Sequence, residues 1–219
     1  MLSRTVLQQL LQAIEQTAHN PESKVILLRS AGETFFCAGW DDDLIRQLSS
    51  EKEAIELYQL MTQLLNAMRL CPKLIIIRVQ GCCRQEGICL VGAADYAIAS
   101  VTADLQLSYL ARKESLLLAE LILERRLGHA AFSELAIDEK KGRNAEWGRR
   151  NGIYAELYNA PDTMEEAIFR LLKFLSLNNS EALADMKKVL WNDAENWTSE
   201  LPHIALESGK QLWTSLRQQ

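Results

Sequence analysis

The chain has 219 residues, enough for one sizeable core or for a core with a small appended unit. It is 48% hydrophobic and 24% charged, the balance of an ordinary globular protein, which excludes a disordered chain. Its net charge of −5 gives no electrostatic reason for a nucleic-acid partner or an anionic membrane. The basic runs at 124–126, 139–143 and 148–150 therefore read as solvated helix faces and turns. No stretch approaches the roughly 18–20 apolar residues that a membrane helix needs. The opening "MLSRTVLQQLLQAIEQ" is broken by polar residues at helical spacing and has no signal-cleavage pattern. A cytoplasmic protein with no membrane or nucleic-acid partner is the expectation.

Val6, Leu7, Leu10, Leu11 and Ile14 recur at the spacing of an amphipathic helix over 3–18. "KVILLRS" (24–30) is a short continuous apolar run after a Pro-containing turn and reads as a buried strand. Residues 31–43 read as a loop whose acidic end leads into a helix. A longer helix follows at about 51–70, stopped by Pro72. "KLIIIRVQG" (73–81) is a second buried strand, and "YAIAS" and "DLQLS" are short β-prone stretches. Helices and apolar strands alternate with no hairpin signal between the strands, which indicates α/β construction. From about 108 to 137 the pattern is helical and leucine-rich, and "GIYAELY" (152–158) gives one more strand. Beyond Pro161 the periodicity predicts three helices, at 163–176, 180–192 and 197–217, the second capped from "NNS" (178–180).

Five cysteines, Cys37, Cys71, Cys82, Cys83 and Cys89, make an odd number for a disulfide framework. Adjacent Cys82 and Cys83 project to opposite faces of a strand, no CxxC pair exists, and His19, His129 and His203 stand apart in sequence. Reduced thiols and no metal site are expected.

Three segments in this order resemble the crotonase (enoyl-CoA hydratase/isomerase) superfamily. "SKVILLRSAGETFFCAGWDDD" is similar to its strand–loop–helix with F-x-x-G-x-D. "CPKLIIIRVQG…GAADYAIAS" is similar to its second strand, active-site turn and small-residue helix. "AEWGRRNGIYAELY" followed by "SEALADMKKVLW" is similar to its closing strand and first C-terminal helices. Short bacterial enoyl-CoA or methylglutaconyl-CoA hydratase-like members resemble it most. The resemblance implies an α/β fold: a ββα-spiral core over 1–158 and a C-terminal helical, oligomerisation-type subdomain over 159–219. It also implies a homo-oligomer, a trimer or hexamer, and an acyl-CoA ligand, with coenzyme A entering as a thioester substrate and no separate cofactor.

By the same resemblance, two backbone N–H groups polarise the thioester carbonyl and stabilise an enolate. The first belongs to Trp40, after Gly39 in "CAGWD", where relatives carry a small residue; a tryptophan there stacks on a ligand or plugs the cleft. The second belongs to a G-G-G turn which, counted back from Asp95, falls on Gln85, Glu86 and Gly87, making Glu86 the donor. A carboxylate beside a developing oxyanion opposes it, so Glu86 must be protonated or turned away. The two catalytic glutamate positions fall on Cys89 and Tyr109. A thiol with no histidine near it in sequence lacks its usual activator. A phenol with a pKa of about 10 is a poor base at neutral pH.

Relatives continue with a Gly/Pro-rich loop, whereas "LARKESLLLAELILERRLG" (110–128) is composed of helix formers and predicts a helix over 110–127. Glu114, Glu120 and Glu124 are candidate replacement carboxylates there, with solvent-facing positions as the ordinary expectation. Relatives also begin with a β-hairpin and an N-R-P…N-A-L segment that helps to hold CoA. This sequence starts at the helix that follows it, implying a weaker grip on CoA and an exposed sheet edge that favours association. Two functions follow: an acyl-CoA enzyme whose acid–base residues have moved, or a catalytically silent relative that serves as an assembly or binding module.

Overall fold

The computed structural model describes residues 1–218. The chain opens with α1 (Arg4–His19), begun by Ser3, whose hydroxyl accepts the Val6 N–H. β1 (Val25–Arg29) and β2 (Phe35–Cys37) follow, then α2 (Asp42–Gln47) and α3 (Glu51–Leu70). Ser50 caps α3 at the Glu53 N–H, and the Glu53 carboxylate reaches back to the Ser49 N–H, so one donor of the first turn and the donor just ahead of the cap are satisfied. Next come β3 (Leu74–Val79), β4 (Cys82–Arg84) and α4 (Glu86–Gly92). They are followed by β5 (Tyr96–Ser100), β6 (Leu105–Gln106), α5 (Tyr109–Arg112) and α6 (Leu117–Ile137). α7 (Ala145–Arg150), β7 (Glu156–Tyr158), α8 (Pro161–Ser176), α9 (Ser180–Leu190) and α10 (Trp197–Leu216) complete the fold.

Successive strands alternate between two parallel sheets. One has the order β1-β3-β5-β7, the other β2-β4-β6. Each pass of the chain adds one strand to each sheet and then a helix, so the chain winds as a ββα spiral. Parallel neighbours need such crossovers, and β3, covered by helices, is buried along its whole length. Its one charged residue, Arg78, is buried and pairs with Glu165 of α8 at 2.7 Å.

Three expectations are corrected. Residues 31–43 are not one loop: Phe35–Cys37 forms β2, too short for a recognisable period and formed because β4 lies alongside it. The strand expected over 152–158 is confined to 156–158, since Gly152 at φ 86 turns the chain first. The helix expected over 110–127 is broken. Lys113 adopts φ 55, closing α5, and α6 starts only at Leu117. Helix propensity is a weak local preference that tertiary contacts override. Here the Glu139 carboxylate bonds the N–H groups of Leu110 and Ala111, starting α5 as a separate turn.

The main core lies between α1, α3, α4, α6, α10 and the strands, with Leu7, Leu57, Leu64, Ile77, Val91, Ile122 and Trp197 among its buried members. A second cluster, Leu74, Ile76, Ile98, Met164, Ile168 and Leu183, joins the outer face of β3 and β5 to α8 and α9. Asp95, at the corner between α4 and β5, ties these layers together. Its carboxylate accepts the Ile75 N–H (2.6 Å) and the Trp191 indole N–H (2.6 Å) and pairs with buried Lys187 at 3.0 Å. The Lys187 ammonium also donates to the carbonyls of Met68 and Lys73. Among the described residues no helix is long and apolar enough to cross a membrane.

Candidate functional site

The turn before α4 faces the segment after β2. Gly39 holds φ +87 there, and a Cβ on it would stand 2.8 Å from the Gln85 Cβ and 3.0 Å from Glu86 Oε2. Only glycine permits both the conformation and the approach. Gly87 is equally confined: an added Cβ would meet the Cys37 Cβ at 2.6 Å. Leu2 bridges to Trp40, donating to the Gly39 carbonyl while its own carbonyl accepts the Asp41 N–H, which fixes the course of this segment. Gln85 occupies a backbone state that favours glycine (φ 49, ψ −130) and retains it because its side-chain carbonyl accepts the Ser108 N–H at 2.6 Å.

Trp40 is 2% exposed and meets the Tyr58 ring of α3 edge to face, with centroids 5.4 Å apart. It fills the cleft. Glu86 is fully buried at the first position of α4. Its Oε1 accepts the Tyr109 hydroxyl at 3.4 Å, while its Oε2 has no hydrogen-bond partner among the described residues. Burial first, and the neighbouring Glu114 carboxylate second, push its pKa up to about 8, so at neutral pH it holds its proton. The backbone N–H groups of Glu86 itself and of Trp40 face this carboxyl and oppose the rise, as does Arg112; the N–H contacts fall short of full hydrogen-bond geometry at Oε2.

Cys89, one turn along α4, and Tyr109 are both buried, and burial followed by the nearby Glu86 raises each well above its ordinary range. They are a neutral thiol and a neutral phenol. Glu114 is buried rather than solvent-facing. It pairs with Arg112 at 2.7 Å, and burial still raises its pKa against that partner's pull. Arg112 in turn reaches the exposed Asp42 at 3.6 Å, so the inner acids are closed off from solvent by a charged latch.

The structure thus gathers Gly39, Trp40, Glu86, Gly87, Cys89, Tyr109 and Glu114 into one place. It leaves out Glu120 and Glu124, which line an outer groove of about 480 Å³ on α6; Glu124 there holds His129. A cavity of about 200 Å³ between α1 and β1 reaches Cys37 and Leu90, next to the turn. Cys82 is half-buried and Cys83 buried, and among the described residues no three His, Cys, Asp or Glu side chains converge as a metal site.

Sequence reasoning missed Tyr58, Arg112 and Glu139. Nothing in the helical run 51–70 distinguishes Tyr58 from any core residue. Arg112 and Glu114 are two residues apart, which on a continuous helix would point them away from each other. Only the left-handed break at Lys113 brings them together.

Two parallel sheets threaded by one spiral, with a glycine-flanked turn at the start of a small-residue helix, define the crotonase fold. The family model for enoyl-CoA hydratase/isomerase matches residues 1–216, and the chain belongs to that family. Solved structures with the same architecture include an enoyl-CoA hydratase from Bacillus halodurans (TM-score 0.88, 22% identity, 98% of this chain and 87% of that one). An enoyl-CoA hydratase/isomerase from Mycobacterium paratuberculosis follows (0.86, 16%, 100% and 89%). An enoyl-CoA hydratase from Mycobacterium avium is similar as well (0.83, 22%, 96% and 79%). At these identities the likeness concerns the fold. No curated protein matches the sequence.

Proposed function

We propose that this protein keeps the crotonase fold as an assembly or binding module and does not hydrate or isomerise enoyl-CoA thioesters. One observation carries the reading. Cys89 and Tyr109, standing where the resemblance places the two catalytic glutamates, are buried and held neutral, so neither activates water or removes an α-proton. A second reading, an acyl-CoA enzyme whose acid–base groups have moved, is favoured by the buried Glu86–Glu114 carboxyl pair. Incubation with a panel of enoyl-CoA and malonyl-type thioesters separates the two. The expected result is no turnover, and no thermal shift with CoA or its thioesters. Turnover above the buffer rate that disappears in Glu86→Gln would replace the first reading by the second.

The same reading includes a cytoplasmic location and self-association as a trimer or hexamer through the C-terminal helices. Phe169, Phe174 and Leu177 on and just after α8, with Met186 and Val189 on α9, leave more than half of each side chain's residue surface in solvent. Such a concentration of exposed large apolar groups supports an interface with a second copy. Light scattering on the purified chain is expected to give the mass of three or six copies. Phe169→Lys with Leu177→Lys should lower it while leaving the helical circular dichroism intact; a single-chain mass for the unmodified protein would remove this part of the reading.

A further inference from the structure

We propose that the Glu86 side chain is a built-in occupant of its own turn, filling the place between the Trp40 and Glu86 N–H groups and so excluding acyl thioesters from it. The inference deepens the reading above and rests on its assignment of those two N–H groups as the donors a thioester oxygen would meet.

The argument is geometric. Glu86 Oε2 lies against Gly39, the residue just before the Trp40 N–H, at the side from which only a missing Cβ permits approach, and the Glu86 N–H belongs to the first residue of α4 in the same turn. The carboxyl is fully buried, and its Oε1 is held by the Tyr109 hydroxyl from α5. Trp40 and Tyr58 close the site from the side of α3, and Glu114, Arg112 and Asp42 close it from the side of α5 and α2. A thioester oxygen and the carboxyl oxygen would need the same donors and the same space.

The surrounding atoms show what this arrangement costs. Of the buried polar atoms without partners among the described residues, several belong to this site: the Trp40 indole nitrogen, the Tyr58 hydroxyl, the Gln85 amide nitrogen, Glu86 Oε2 and Glu114 Oε2. Each orphaned group has given up its hydration without gaining a hydrogen bond in return. A region rebuilt only for packing would have exchanged them for apolar groups. The polar lining of the site is retained, and the carboxyl from position 86 sits at its centre.

The test compares acetyl-CoA and crotonyl-CoA binding by calorimetry to the unmodified protein, Glu86→Gly, Glu86→Ala and Glu86→Gln, each checked for native near-ultraviolet circular dichroism. The unmodified protein and Glu86→Gln, whose side chain still fills the place, should bind neither thioester measurably. Glu86→Gly and Glu86→Ala should bind at least tenfold more tightly. Tight binding by the unmodified protein would overturn the reading above together with this inference. No gain in folded Glu86→Gly and Glu86→Ala, or an equal gain in Glu86→Gln, would overturn the inference alone. Independently of any variant, the amide signals of Trp40 and Glu86 in the unmodified protein should shift together as the Glu86 carboxyl is titrated. Amides that ignore that titration would show the place to be empty of the carboxyl.

Discussion

Replacing Lys187 by methionine is expected to destabilise the fold by about 3–5 kcal/mol, because it strands the Asp95 carboxylate in the interior. Side chains 187 and 95 are 3% and 2% exposed, and their 3.0 Å contact is shared with the Met68 and Lys73 carbonyls. For a chain of this size the midpoint of thermal unfolding should fall by on the order of 10 °C. Asp95 would retain the Ile75 and Trp191 donors, so the double variant Lys187→Met with Asp95→Asn should lose less than the sum of the single losses. Urea unfolding of all three variants measures this. Strict additivity would mean that the pair does not act as a unit. The choice of site matters because Asp95 sits where α4 ends, and α4 carries Glu86.

The second large effect is on pH dependence. The Glu86 pKa in the folded protein is about 8, against an ordinary 4.5. As pH rises through that window the unfolded chain releases this proton while the native protein retains it. The stabilisation is therefore complete below about pH 4.5 and is lost progressively toward about pH 8, at up to about 1.4 kcal/mol per unit. Glutamine has no proton to lose. Glu86→Gln should flatten the decline between about pH 5 and pH 8 and be the more stable protein at the upper end. Some slope should remain, because burial raises the Glu114 pKa in the same direction. Chemical unfolding at several pH values reads it directly. An unchanged slope in Glu86→Gln would mean that this carboxyl is not the buried acid described.

The strands and helices with strong periodic signals needed nothing beyond local pattern. β3 is apolar at five of its six positions, which only a doubly covered parallel strand explains, and α8, α9 and α10 lie within two residues of their expected bounds. The turn was placed through the resemblance, by counting back from Asp95, and in the fold Gly39, Gly87 and Asp95 each answer a backbone or corner requirement that leaves few alternatives. A three-residue element such as β2 carries too little pattern to be seen in isolation, and β7 was seen only as the end of a longer expected strand. They are strands because of their neighbours.

Chemical character divided differently. Residue identity alone establishes that no carboxylate stands at positions 89 and 109 and that one stands at 86. Whether the Glu86 carboxyl is charged, whether Glu114 points inward, and whether Trp40 opens or closes the cleft depend on what distant segments place around them. Tyr58 comes from α3, Arg112 from a turn made by the break at Lys113, and Glu139 from beyond α6. Burial and the field of neighbouring charges are properties of the assembled interior, since desolvation depends on every atom that excludes water from a group. Periodicity records which face of an element is apolar. It does not record what will be buried next to what, and at this site burial, with Glu114 alongside, keeps Glu86 protonated.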